Sequence, residues 1–149
     1  MMKYKESYKE MKDRHQKEFD TFSNGKIFYI FSSGKELFEE ELKKEGLTKE
    51  EIRPIGFGGF IKKEYIGALK DLTQRHKREK QEAIEQDKDG SGFIKSMFIY
   101  ELYNHEFAYT RDTEDTLNDL GYTIKQISNN PALENGLDLA VKAIVGDDI

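Results

Sequence analysis

The chain has 149 residues, with no cysteine, no tryptophan and two prolines, a length that fits one compact domain rather than two. Charged residues and apolar residues each make up 36 %, so the core is expected from amphipathic helices with charged outer faces, which argues against a doubly wound α/β enzyme. Without cysteine there is no disulfide framework, thiol nucleophile, or thiolate zinc or iron–sulfur centre, and no window approaches the ~18 consecutive apolar residues of a membrane span.

The net charge of −5 is unevenly spread. Residues 1–80 hold 19 Lys and Arg against 15 Asp and Glu, whereas residues 81–149 hold 5 against 14. The acidic second half argues against wrapping a duplex, so direct duplex DNA binding is not expected. It suits competition for a basic groove on another protein, because complementary potentials steer association.

In chain order, Tyr4, Tyr8, Met11, His15, Phe19 and Phe22 step by three or four residues and predict a helix over about residues 3–21. Ser23-Asn24-Gly25 stops it. The apolar run 26–31 reads as a strand buried on both faces. Ser32 or Ser33 is expected to cap a following helix with Leu37, Phe38 and Leu42 on its stripe, ended by Gly46. Thr48 and Glu51 have capping-box spacing. Residues 55–61 alternate apolar residues with glycine and predict a second, bulged strand that pairs with the first in a two-stranded sheet. Helical patterns follow over residues 62–86 and 93–109, the second apolar enough to be the core helix. Asp112 or Thr113 caps a short helix ended by Gly121, and Asn130-Pro131 starts the last one, with Leu133, Leu137, Ala140, Val141 and Ile144 facing inward. The fold class is therefore α+β, a mostly helical single domain over residues 1–149 with a small two-stranded sheet.

Asp87-Lys88-Asp89-Gly90-Ser91-Gly92-Phe93-Ile94 matches positions 1, 3, 5, 6 and 8 of an EF-hand loop. Position 12 is Phe98 where calcium needs a bidentate Glu, and position 9 is Lys95, so a polar helix–helix turn is the preferred reading. Gly56-Phe57-Gly58-Gly59-Phe60 with Lys62-Lys63 invites a phosphate-loop reading, but lacks the Gly-Lys-Ser/Thr ending and the dinucleotide spacing. His15, His76 and His105 lie on the stripes of three helices and can meet in space. Three imidazoles can bind zinc, yet no His-Glu-x-x-His pairing is present, so hydrogen-bonded structural histidines are expected and no metal or cofactor. Glu101 and His105, four apart, are expected to pair on one helix face. A hydrolase using His105 and Glu106 has least support, since adjacent helical residues diverge and no nucleophile is apparent.

The run from Gly92 to Thr110, with Phe31-Ser32-Ser33, Gly58-Gly59-Phe60-Ile61, Arg75-His76 and Asp115-Thr116-Leu117, resembles a family of small, mostly uncharacterised proteins of phages and mobile elements. Some of its relatives are grouped with anti-CRISPR inhibitors of the type II effector nuclease. The likeness covers about residues 10–145 and implies no catalytic mechanism. It implies a non-enzymatic counter-defence protein, in the host cytoplasm if phage-encoded, that binds a host defence protein or nuclease complex; the acidity of the second half makes Asp112, Glu114, Asp115 and Asp119 the residues expected to face a basic channel. The alternative is a sponge for a cyclic nucleotide signal. There Gly58, Gly59, Lys62, Arg75 and His76 would grip phosphate, Phe57, Tyr103 or Tyr109 would stack on a base, and Asn104 and His105 would belong to the same ligand site.

Overall fold

A computed structural model describes residues 6–30 and 34–146. Among the described residues, eight α-helices and three strands run in the order α1 (Tyr8–Ser23), β1 (Ile27–Tyr29), α2 (Lys35–Lys44), β2 (Ile52–Gly56), β3 (Gly59–Lys62), α3 (Ile66–Gln86), α4 (Phe93–Asn104), α5 (Phe107–Thr110), α6 (Glu114–Leu120), α7 (Ile124–Ser128) and α8 (Pro131–Val145). Short 3-10 turns at Lys49–Glu51 and Lys63–Tyr65 precede β2 and α3. No helix among the described residues is long and apolar enough to cross a membrane. The chain divides into two compact units, residues 1–14 with 78–149, and residues 15–77, the division falling within α1 and α3.

In the first unit α4 is the core helix. Ile94, Met97, Phe98 and Leu102 are fully buried on it. The turn before α4 is built by its own polar groups. Asp87 Oδ2 accepts the N–H groups of Gly92 (3.1 Å) and Ile94 (2.9 Å), satisfying donors at the start of α4 that the helix itself cannot. Asp89 Oδ1 accepts from the Ser91 N–H and hydroxyl. Gly90 adopts φ +81°, and a Cβ there would lie 1.9 Å from the Ala132 carbonyl oxygen. The calcium-like carboxylates thus close a helix–helix turn packed on α8. Asn130 Oδ1 caps α8 by accepting from Ala132 and Leu133, with Pro131 at the first helical position.

The helix expected over 93–109 is broken. α4 ends at Asn104, and Glu106 and Arg111 adopt φ +57° and +58° on either side of α5. Asp112 Oδ1 accepts the Glu114 N–H at 2.9 Å and so starts α6, which Gly121 ends at φ +83°.

In the second unit the sheet has three strands, not two. It is antiparallel in the order β1-β3-β2. The segment 55–61, read as one bulged strand, is a hairpin whose two-residue turn, Phe57-Gly58, has positive φ at both positions (+53° and +77°), the requirement of a type I′ turn. The bulge is real and lies between Pro54 and Gly56 in β2. Strand β1 is less buried than its apolar run implies, with Tyr29 54 % exposed; the Phe31 end of that run and the proposed caps Ser32 and Ser33 lie outside the described residues. Ile30, Leu42 and Ile52 form the small buried cluster here, with Phe28, Phe38 and Phe60 packed against it. Thr48 donates to Glu51 through its N–H (3.1 Å) and hydroxyl (3.0 Å) at the 3-10 turn.

Candidate functional site

His15 and Glu18 are three apart on α1 and therefore share one helical face. His76 on α3 meets that face. The two imidazoles stack with centroids 3.8 Å apart and planes 11° from parallel. His76 Nε2 lies 2.9 Å from Glu18 Oε1. Arg75, one residue before His76, donates to the other oxygen, with Nη2 3.1 Å from Glu18 Oε2, and its Nη1 is 3.4 Å from Oε1. One ligand atom from each of His15, Glu18 and His76 lies within 4.8 Å of the other two. The side chains of His76 and Glu18 are 16 % and 33 % exposed, so the group is partly desolvated but reachable from solution. All of these residues belong to the 15–77 unit.

His105 belongs to the other unit, where its Nε2 lies 2.9 Å from Asp119 Oδ2. The expected Glu101–His105 side-chain pair is replaced as well. Glu101, buried in the core, accepts a short hydrogen bond from the Tyr8 hydroxyl and has Lys12 Nζ at 3.5 Å. The carboxylate turns toward α1 because Tyr8 brings a donor into a site where an unpaired charge would be costly. Burial first, and the bond to Glu101 second, push the Tyr8 hydroxyl well above the ordinary tyrosine range. Lys80, whose ammonium lies 5.8 Å from the Tyr8 ring centroid, is lowered by burial.

The nine residues proposed for a nucleotide pocket are divided between the units. Gly58, Gly59, Lys62, Arg75 and His76 lie in 15–77, and Tyr103, Asn104, His105 and Tyr109 in 78–149. Gly58 accepts the Ile30 N–H at 2.9 Å, and Gly59 pairs with Tyr29 and Gly56 across the sheet. A Cβ on Gly59 would come within 3.0 Å of Ile55 and Tyr29. Both glycines therefore have a structural use. Two clefts, of about 530 and 680 Å³, lie at the α2 end of one unit and beside the Asp87 turn of the other. None of the nine residues lines either cleft.

The four acidic positions are all exposed on and before α6, while Thr116 and Leu117 between them are buried. Asp112 is engaged in starting the helix and Asp119 in holding His105. Upstream in the same stretch, Tyr103 and Tyr109 stand 58 % and 88 % exposed. In the other unit Phe57, at the hairpin tip, is 99 % exposed. A bulged-strand reading does not imply its positive φ and exposure, although two glycines around an aromatic residue are themselves a hairpin-turn signal.

The fold is thus a mostly helical α+β one, with a small antiparallel sheet and an imidazole–carboxylate group on two of its helices. The chain belongs to a family of unknown function (DUF7659), whose model matches residues 7–143. No curated protein and no solved structure matches it.

Proposed function

We propose that the protein is a non-enzymatic binding protein of the phage counter-defence type, which inhibits a host immune nuclease by occupying its basic nucleic-acid channel. The observation that supports this reading is the stretch 103–119. It exposes Tyr103 and Tyr109 beside Asp112, Glu114, Asp115 and Asp119, while Phe107, Thr116 and Leu117 anchor it inward. Tyrosine supplies contact area at low entropic cost, and carboxylates facing a basic channel speed association and exclude nucleic acid by charge. The resemblance to phage and mobile-element proteins supplies the setting.

The nucleotide-sponge alternative has less to rest on. Arg75 and His76, its phosphate-gripping pair, both hold Glu18, and a phosphate would have to displace that carboxylate.

Cleavage by reconstituted type II effector nuclease, with the protein titrated to excess, tests the proposal. Inhibition is expected, reduced at least tenfold in potency by Glu114→Lys with Asp115→Lys, and at least threefold by Tyr109→Ala. Full cleavage at saturating protein would overturn it. A thermal-shift panel of cyclic nucleotides addresses the alternative, since a tight ligand stabilises the folded form by mass action.

A further inference from the structure

We infer that His15, Glu18 and His76 form a binding site for a divalent transition-metal ion of the zinc class. The donors come from two helices and converge: His15 and Glu18 are three apart on α1, His76 enters from α3, and one ligand atom of each lies within 4.8 Å of the others. Two imidazole nitrogens and one carboxylate oxygen are the donor set that zinc and its late first-row neighbours take, whereas calcium and magnesium favour oxygen alone. Ligand bonds of about 2.1 Å at tetrahedral angles put donor atoms about 3.4 Å apart. The Glu18–His76 separation of 2.9 Å therefore opens slightly, and the stacked rings tilt so that their nitrogen edges aim at one point.

Glu18 is already held for this task. Arg75 spans both oxygens, closer to Oε2 (3.1 Å) than to Oε1 (3.4 Å), and Oε1, which also faces His76, is the oxygen that turns to the ion. Outer partners that fix a ligating carboxylate in this way tune metal sites. The same guanidinium is a positive charge beside the ion, so the affinity is expected to be micromolar rather than that of a closed structural site. Three protein donors leave a fourth position to water, and partial exposure of His76 and Glu18 lets the ion exchange.

The test uses the full chain without a histidine tag. Equilibrium dialysis and calorimetry against zinc sulfate should give one equivalent bound with a dissociation constant below about 10 µM, unaffected by millimolar magnesium. Cobalt(II) should give the visible absorption of a four- or five-coordinate ion. His15→Ala, His76→Ala and Glu18→Gln should each weaken zinc at least tenfold, whereas His105→Ala, in the other unit, should leave it unchanged. Binding that survives all three substitutions, or the lack of saturable binding below about 100 µM, would overturn the assignment. Imidazole NMR of the wild-type chain provides a readout that requires no variant to fold: zinc should shift the His15 and His76 signals and spare those of His105, and the reverse pattern would overturn the site.

Discussion

The two units bury their apolar residues differently. In residues 78–149 with the start of α1, one helix, α4, is enclosed by the others and buries Ile94, Met97, Phe98 and Leu102 completely. In residues 15–77 a three-stranded sheet and α2 share a smaller cluster, whose buried members among the described residues are Ile30, Leu42 and Ile52, with Ile61 also buried, while Tyr29, Leu37, Ile55 and Phe57 are exposed. Burial of apolar area is the dominant favourable term in folding. Among the described residues the α4 unit therefore holds the larger buried core, and the 15–77 unit carries the imidazole–carboxylate group.

The largest effect expected from breaking this contrast is at Phe98. Truncation to alanine removes a fully buried ring and leaves a cavity, costing about 3–5 kcal/mol. Urea unfolding would measure it. Hydrogen exchange would place it, with the loss of protection expected throughout α4 and α8; a loss confined to the sheet would invert the comparison. Gly90→Ala follows at about 3 kcal/mol, because φ +81° disfavours any side chain and the new Cβ would meet the Ala132 carbonyl. Urea unfolding of a variant unchanged in stability would show that the Asp87 turn is not packed on α8.

Tyr8→Phe is the next step down and also probes pH. Removing the hydroxyl strips Glu101 of a charge-assisted bond in a buried site, worth about 2 kcal/mol near neutral pH. In the folded protein the Tyr8 hydroxyl is raised above its ordinary value of about 10, so the contribution is fully present below pH ~10 and is lost as the unfolded chain ionises above it. Tyr122, raised by burial alone, acts in the same direction. Urea unfolding at pH 8 and pH 11 should therefore show a fall in stability that is smaller in Tyr8→Phe. An equal fall in both proteins would remove Tyr8 from the account.

Much of the α4 unit is legible in the sequence because its signals are local. Asn130-Pro131 states a cap and a first turn within two residues, Gly121 states a stop, and the apolar density of 93–102 marks the core helix before any neighbour is known. Where the reading fails, the deciding contact is distant or the residue is atypical. Glu106 takes a left-handed conformation with no glycine to announce it. Glu101 turns to Tyr8, ninety-three residues away, rather than to its helical neighbour His105. His15 and His76 are legible as stripe residues, but their stacking depends on how α1 and α3 pair, which periodicity does not specify. The third strand is not legible in the sequence because Gly56-Phe57-Gly58-Gly59 satisfies both a bulge and a two-residue turn, and pairing on both sides of β3 decides between them.

The smallest expected effect has the opposite sign and sharpens the contrast most. Phe57 sits at φ +53° and is 99 % exposed, so it contributes almost no burial while carrying the cost of a left-handed conformation, about 1 kcal/mol for a residue of this kind. Phe57→Asn relieves that cost with a residue that tolerates the turn, and urea unfolding should show a gain of about 0.5–1 kcal/mol. A loss instead would mean that the ring packs in solution and that the hairpin belongs to the stabilising part of the molecule. A gain would identify Phe57 as a residue held against the interest of stability, which is the pattern found where an exposed aromatic side chain is kept for contact with another molecule.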